Sequence, residues 1–249
     1  MYFGGSDDAM GLPFNNPKPV YVVKKIISTL CKNNGDIVID FFSGSASVAH
    51  ATMELCSEDN INRKWIMVQY PEEIKKTHEA YKQGYTTISQ IGKERIHRAG
   101  EKIKSEAGLM ATNLDIGFRV FKLDESNMNS VYYSADDYSQ DMLSMLESNI
   151  KEDRTDLDLL FGCLLEWGLP LSLPYKSEKI ENYTVHTYND GDLVACFEGN
   201  IPESVIKEIA KRKPLRAVFR DSSFANSPAK INVTEIFKLL APDTRVKVI

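Results

Sequence analysis

The chain has 249 residues, of which 43% are hydrophobic and 26% charged, a balance that is ordinary for a globular protein of one large domain or two smaller ones. Its formal net charge of −5 excludes a protein that binds nucleic acid through overall positive charge. The four cysteines are too widely spaced for a zinc pair or a redox dithiol, and the first residues do not resemble a signal peptide, so we expect a reduced, cytoplasmic protein. No apolar stretch has the roughly 18 residues that a membrane span needs.

The first part of the chain predicts alternating helices and strands. A helix is predicted from Pro19, because apolar residues recur at helical spacing up to Leu30. The apolar run at 37–42 predicts a buried strand, residues 48–55 a second helix, and residues 64–70 a second buried strand. Because the connection between the two strands is a short helical crossover, we expect them to be parallel.

The remaining elements divide at Gly108, which separates a predicted domain 1–107 from a predicted domain 108–249. Asn189-Asp190-Gly191 favours a hairpin, because such a turn needs positive φ angles. The predicted elements are, in chain order, helices over 72–81 and 93–104, a strand over 117–123, helices over 137–150 and 157–167, strands over 182–188 and 192–198, a helix over 202–211, a strand over 215–221, a helix over 230–240 and a strand over 245–249.

Charge is distributed unevenly along the chain. Residues 75–104 carry eight Lys or Arg against three Glu, a local +5, and residues 109–160 carry four Lys or Arg against eleven Asp or Glu, a local −7. One interpretation is two solvated helical faces of opposite sign. The other places the basic segment, with Arg95 and Arg98, beside nucleic acid and turns the acidic segment away from it.

The turn between the first strand and the following helix, residues 43–47 (SGSAS), is the candidate ligand site, since it presents backbone N–H groups at a helix N-terminus. It lacks the lysine of a P-loop, and its single glycine, Gly44, matches dinucleotide sites poorly. S-Adenosylmethionine fits better: small residues leave room for its methionine arm, Asp40 can meet its ammonium, and Glu72, just past the second strand, can meet the ribose hydroxyls. The alternatives are that Asp40 caps the next helix and that Glu72 is a first-turn helix acid.

Five segments make the chain recognisable: NPKPVYVVKKII (16–27), DIVIDFFSGSASVAHATMEL (36–55), RKWIMVQYPEE (63–73), IGKERIHRAGEKI (91–103) and the final AVFRDSSFANSPAKINVTEIFKLLAPDTRVKVI (217–249). Together they resemble the cofactor half of an amino-methylating DNA methyltransferase and, more narrowly, the modification subunit of type III restriction-modification systems. The resemblance implies an α/β fold: a partial Rossmann-like S-adenosylmethionine methyltransferase sheet, followed by a smaller C-terminal α/β (α+β) domain. It also implies N6-adenine methylation of DNA, with S-adenosylmethionine as cofactor.

The resemblance also assigns residues to the cofactor. The family's loop often reads Phe-x-Gly-Ser-Gly-Thr-Thr; here Ala46 stands at the second glycine, where it leaves less room, and Ser47 and Val48 replace the two threonines. With Glu72 added from its spacing, the predicted cofactor-binding residues are Lys18, Pro19, Asp40, Phe42, Gly44, Ser45 and Glu72.

One family element is absent from the sequence. Such enzymes carry an Asp-Pro-Pro-Tyr-like tetrapeptide that holds the target amine and stacks on the flipped base, and this chain has no Pro-Pro dipeptide. We therefore expect the C-terminal part of a modification subunit, inactive alone, whose partners in the complete enzyme are double-stranded DNA, a second modification subunit and a helicase-nuclease restriction subunit.

An assembly or dimerisation module is the alternative function. Three aromatic residues of the second domain, Phe219, Phe224 and Phe237, are candidate contact residues, and ordinary core packing is the other explanation for them. A nicotinamide-dependent oxidoreductase is disfavoured by the single glycine of the turn. The four histidines show no metal-ligand spacing, and His50 is predicted on the polar face of its helix.

Overall fold

The computed structural model describes residues 10–14, 17–108, 114–129, 149–224 and 227–249. The chain divides into two units, Met1–Arg119 (unit 1) and Val120–Ile249 (unit 2). The predicted boundary residue, Gly108, precedes this division and caps the last helix of unit 1 with a φ of +53°. Among the described residues, no helix combines the length and the apolar character that crossing a bilayer requires.

Unit 1 contains two parallel strands and the helices that pack on them. Ile37 lies opposite Lys64 and Asp40 opposite Met67, so the predicted parallel pairing is confirmed. The elements are α1 (Val20–Leu30), β1 (Ile37–Asp40), α2 (Ser47–Asp59), β2 (Lys64–Met67), α3 (Glu79–Lys82) and α4 (Ile88–Ala107).

Among the described residues, the helices of unit 1 cover one face of this sheet and leave the other uncovered. Val38 packs with α1 and α2, whereas Trp65 and Met67 pack with α2 and α4. Because side chains alternate along a strand, the neighbouring residues point to the other face, and Ile39 there is 48% exposed and Ile66 49%. Parallel sheets normally have both faces covered, so this bare apolar face is unusual.

The helix predicted over 72–81 is wrong. Residues 72–74 pair with the chain before α4 instead: Ile74 N–H donates to the Thr86 carbonyl at 2.8 Å, and Ile88 N–H donates to the Glu72 carbonyl at 3.0 Å. This pairing uses the backbone groups that a helix would need, and helical structure begins only at Glu79. The helix predicted over 93–104 is present and is longer, since it starts after a capping box of Thr87 and Gln90.

Unit 2 is built on one mixed five-stranded sheet in the order β3-β4-β5-β6-β7. Pairs β3–β4 and β4–β5 are antiparallel, and pairs β5–β6 and β6–β7 are parallel. The elements are α5 (Asp156–Glu166), β3 (Tyr175–Ile180), β4 (Tyr183–Tyr188), β5 (Leu193–Cys196), α6 (Glu203–Lys211), β6 (Arg216–Phe219), α7 (Ser227–Leu240) and β7 (Arg245–Val248).

Both faces of this sheet are buried. Val194 and Ala217 belong to the cluster with α6 and α7, and Ala195 and Val218 belong to the cluster with α5. The three candidate contact aromatics are all buried in unit 2 and pack on one another, so they are core residues rather than a docking surface: Phe219, Phe224 and Phe237.

The sequence prediction for unit 2 is partly confirmed. The hairpin is present, with φ angles of +43°, +52° and +118° at Asn189, Asp190 and Gly191. The strand predicted over 117–123 is wrong, since those residues form no regular element. The helix predicted over 137–150 lies almost wholly outside the described residues. The α/β class is confirmed, and the assignment of unit 1 to a Rossmann-like methyltransferase sheet stays a prediction.

Candidate functional site

The loop between β1 and α2 borders a cavity of about 250 Å³ at the carboxyl end of the parallel strands. Five of the seven predicted residues line this cavity: Lys18, Asp40, Phe42, Gly44 and Ser45. Pro19 does not line it and is instead the N-cap of α1. Glu72 is exposed and also lies outside the lining. The geometry therefore brings most, but not all, of the predicted site together.

Hydrogen bonds from the end of β2 hold the loop in place. The Gly44 N–H donates to Gln69 Oε1 at 2.7 Å, and the Ser43 N–H donates to the Val68 carbonyl at 3.2 Å. Gly44 has a φ of +53°, which glycine adopts without the steric cost that a Cβ brings. Gln69 is not among the predicted site residues; its signal in the sequence is a polar side chain just beyond an apolar strand.

Ala46 turns the chain into α2. It is the N-cap residue, with φ 60° and ψ 34°, and no side chain caps the helix. A left-handed alanine costs about 1–2 kcal/mol. Its methyl group packs in the core cluster with Ala49 and Ile96 and does not line the cavity. The expectation that Ala46 leaves less room for the ligand is therefore wrong. The first-turn N–H groups of α2 thus have no side-chain acceptor among the described residues.

Asp40 lines the cavity, and one of its two carboxylate oxygens has no hydrogen-bond partner among the described residues. Its Oδ1 accepts a hydrogen bond from the Phe42 N–H at 3.2 Å. Its Oδ2 is buried and has no hydrogen-bond partner among the described residues. Lys18 Nζ lies 3.8 Å from this oxygen, but the Lys18 side chain is 64% exposed. A buried carboxylate oxygen without a donor is costly, and this atom is therefore suited to a cationic hydrogen-bond donor in the cavity.

Both alternative roles of the strand-end acids are wrong. Asp40 does not cap α2, because its Oδ1 accepts from the Phe42 N–H, which precedes the helix, and its Oδ2 has no hydrogen-bond partner among the described residues. Glu72 is not a first-turn helix acid, since the next helix begins at Glu79. Ligand binding remains an interpretation for each residue, and the buried oxygen makes the case stronger for Asp40.

Two apolar side chains complete the walls of the cavity. Phe42 is 86% exposed and borders its mouth. Phe14 lies on the loop itself, because a Cβ placed on Gly44 would be 3.6 Å from Phe14 Cζ. The site thus combines a polar end at Asp40 with apolar rings, as is usual for small-molecule sites.

His50, on the first turns of α2, is buried and not on a polar face as predicted. Its Nε2 lies 2.9 Å from Glu54 Oε1, and Lys24 Nζ of α1 lies 3.1 Å from Glu54 Oε2. The hydrogen bond with His50, supported by Lys24 and opposed by burial, lowers the pKa of Glu54 to about 2. This cluster joins α1 to α2 and does not line the cavity.

The two arginines proposed to face nucleic acid do not form a free basic surface. Arg95 is buried. Arg98 Nε donates to Glu94 Oε1 at 2.6 Å, and its Nη1 donates to the Met10 carbonyl at 2.7 Å. Burial of Arg95 agrees with neither interpretation, whereas Arg98, with a side chain 39% exposed and paired with Glu94 on the same helix, agrees with a partly solvated helical face.

Comparison with known proteins gives several relatives. A family model described as DNA methylase matches residues 5–82. The Mod subunit of the type III restriction-modification enzyme StyLTI, from Salmonella typhimurium, is 40% identical over 109 residues, which are 44% of this chain and 16% of that protein. The EcoP15I Mod subunit from Escherichia coli is 29% identical over 245 residues, 93% of this chain and 34% of that protein.

A type II enzyme also matches. Methyltransferase M.KpnI from Klebsiella pneumoniae is 38% identical over 84 residues, 34% of this chain and 20% of that protein. The chain spans only about a third or less of the length of these relatives.

Proposed function

This chain is a relative of the modification subunits of type III restriction-modification enzymes, and on that premise we propose that it supplies the S-adenosylmethionine-binding side of a DNA adenine-N6 methyltransferase. The observation that supports this most directly is that Asp40 lines the cavity and that its buried Oδ2 has no hydrogen-bond donor among the described residues. The ammonium of the cofactor's methionine arm is such a donor. The relatives' names concern DNA methylation and restriction-modification, which agrees with this ligand.

The residues present fit the rest of the methionine arm. The uncapped N-terminus of α2 offers N–H groups to its carboxylate, and exposed Lys18 can turn from Asp40 toward the same carboxylate. Phe42 offers a ring to the nucleoside. When bound, the cofactor supplies an electrophilic methyl group on its sulfonium; the chain's own part is to bind and orient it.

The cofactor proposal is tested by calorimetry of S-adenosylmethionine binding to the full chain. Asp40→Asn keeps the acceptor for the Phe42 N–H but removes the charge that meets the ammonium, so we expect roughly 10- to 100-fold weaker binding, in line with about 1.5–3 kcal/mol for a charged hydrogen bond. Asp36→Asn, which makes the same charge change just before β1, should bind like the wild type. Equal affinity of the two variants, or no binding by the wild type, contradicts the proposal.

Glu72 is proposed to bind the ribose hydroxyls, although it lies outside the cavity lining. Glu72→Ala should then weaken binding by roughly 10- to 100-fold for the same reason. Neighbouring Glu73 is also exposed, and its backbone pairs with Thr87. If Glu72→Ala and Glu73→Ala bind the cofactor equally well in calorimetry, Glu72 does not belong to the site.

We further propose that the chain is the cofactor-side part of a larger catalytic domain, within a Rossmann-like sheet. The bare apolar face of β1 and β2, with Ile39 and Ile66 about half exposed, calls for a covering layer. The sequence also has no Pro-Pro dipeptide to form the tetrapeptide that holds the target amine. The cavity, at about 250 Å³, is below the roughly 300–1,000 Å³ of typical ligand sites, which agrees with a site that needs further walls.

This proposal requires that the chain alone transfers no methyl group. Incubation with double-stranded DNA and methyl-tritiated S-adenosylmethionine should give no incorporation above a protein-free blank, and a complete adenine methyltransferase serves as the positive control. Turnover by the purified chain would show that the target-binding residues lie within it. Double-stranded DNA, a second modification subunit and a restriction subunit remain proposed partners of the complete enzyme, and the cytoplasmic location remains a prediction.

A further inference from the structure

Gly92, in the second turn of α4, touches the loop between β1 and α2, residues 43–46. A Cβ built on Gly92 would lie 3.0 Å from the Gly44 carbonyl oxygen, 3.6 Å from Ala46 Cβ and 3.8 Å from the Ala46 nitrogen. A carbon atom at 3.0 Å from a carbonyl oxygen is closer than normal contact distance. The helix and the loop backbone can approach this closely only because residue 92 has no side chain.

The backbone conformation does not require glycine at this position. Gly92 lies within α4 and has no positive φ, and alanine is favoured over glycine inside a helix by about 1 kcal/mol. Glycine at position 92 therefore lowers the helix propensity of α4. In return, it leaves room for the Gly44 carbonyl beside the helix.

The contact between Gly92 and the Gly44 carbonyl bears on the orientation of one peptide unit at the site. The Gly44 carbonyl and the Ser45 N–H belong to one planar peptide, so any displacement of the oxygen also moves the N–H of Ser45. Ser45 is buried and lines the cavity. Gly44 is also held by the hydrogen bond that its N–H donates to Gln69 Oε1 at 2.7 Å. The loop thus has two fixed contacts, one with Gln69 and one with α4.

The helix that carries Gly92 cannot easily move away. Its start is fixed by the capping box of Thr87 and Gln90. The neighbouring residues Ile91 and Ile96 are both buried in the core of unit 1. A methyl group at position 92 would consequently displace the loop rather than the helix.

We propose that Gly92 is a positioning residue of the cofactor site, which sets the orientation of the Gly44–Ser45 peptide through direct contact with α4. The inference rests on the proposed function for its ligand, but the placement of the loop is independent of any ligand.

Gly92→Ala tests the inference, with Gly100→Ala as the matched control. Both glycines are buried in α4, and the Cβ built on Gly100 would lie 3.2 Å from the Ile116 side chain, away from the loop. Without ligand, we expect Gly92→Ala to speed amide hydrogen exchange of residues 43–47 by about tenfold, the equivalent of one lost hydrogen bond, and Gly100→Ala to leave it within about twofold. Equal exchange of 43–47 in both variants overturns the inference.

Cofactor affinity gives the second readout. Calorimetry with S-adenosylmethionine should show about tenfold weaker binding for Gly92→Ala and no change for Gly100→Ala. If the wild type binds no cofactor, the proposed function fails, whereas the exchange data without ligand still decide the role of Gly92.

A measurement on the wild type does not depend on the variant folding. S-Adenosylmethionine should slow exchange at residues 43–47 and at 91–93, the turn of α4 whose Gly92 touches the loop, but not at 99–101 on the same helix. Protection of 43–47 without protection of 91–93 would show that α4 does not hold the loop in position.

Discussion

Glu54, on α2, is an acid whose pKa is clearly lowered in the folded chain. The hydrogen bond with His50 is the main cause of its lowered pKa, about 2 against an ordinary 4.5, and Lys24 contributes further. Since the pKa is lower in the folded state, the interaction stabilises the fold fully above pH 4.5. This stabilisation is lost progressively as the pH falls from about 4.5 toward about 2.

Glu54→Gln should remove this pH dependence. At pH 7 the variant should unfold at a lower urea concentration than the wild type, and the difference should shrink steadily between about pH 4.5 and pH 2, as the wild-type carboxylate is protonated. Glu101→Gln, on an exposed position of α4, controls for the loss of one acid. A difference between wild type and Glu54→Gln that is constant over this pH range would contradict the assignment.

The four thiols should differ in reactivity, because burial raises the pKa of two of them. All four cysteines are free, and burial raises the pKa of Cys163 and of Cys196 to about 11. At pH 8 only about one thiol in a thousand would then be the reactive thiolate. Iodoacetamide should therefore modify the half-buried Cys31 and Cys56 first, and mass mapping should find Cys163 and Cys196 modified only after denaturation. Rapid modification of either buried thiol in the native chain would contradict this.

At the scale of elements, the sequence predicts well where periodicity and local turn chemistry decide the structure. The run from α1 to β2 is such a case, because each of its segments has its own apolar pattern. The strand predicted over 117–123 fails because its alternating apolar residues have different partners: Phe118 packs with Trp65 in unit 1, and Phe121 packs with Phe161 in unit 2. Periodicity alone does not distinguish this packing from a strand.

The contrast between local sequence patterns and contacts made by the folded chain also explains the missed strand and the missed site residues. β3 (Tyr175–Ile180) escapes prediction because it is an edge strand of mostly polar, exposed residues. Asp40 and Gly44 lie in one local motif and could be identified from it. Gln69 is 25 positions from its partner Gly44, and Gly92 is farther still, so only the folded chain reveals that both hold the loop.

The hairpin between β4 and β5 depends on the conformation of Gly191. Its φ of +118° is strained for any residue with a Cβ, although the nearest atom to a built Cβ, Pro214 Cα, is a comfortable 4.0 Å away. Gly191→Ala should therefore lower the free energy of unfolding by about 1 kcal/mol or more, through backbone strain alone. Gly199→Ala, with no positive φ and an ordinary contact of 3.6 Å to the Ser222 carbonyl, is the control. Equal urea midpoints for the two variants would refute a conformational role for Gly191.

At the scale of the whole molecule, the two units differ in how completely they bury their apolar surface. Unit 2 covers both faces of its sheet with its own helices. Unit 1 leaves one face of β1 and β2 bare and also exposes Ile26 and Leu30 of α1. Exposed apolar surface on this scale marks an interaction site or a risk of aggregation, so the units should behave differently when separated.

Residues 120–249 should fold alone, because the described residues of unit 2 form two apolar clusters within the unit itself. We expect one cooperative urea transition and little binding of the dye ANS. Residues 1–119 should bind ANS strongly or self-associate, and Ile39→Lys with Ile66→Lys should reduce this with little cost in stability, since both side chains are about half exposed. The same two changes in the full chain provide the decisive comparison. ANS fluorescence that is low in the full chain and insensitive to both lysines would mean that the face is covered in solution, and the case for a missing layer would then fail.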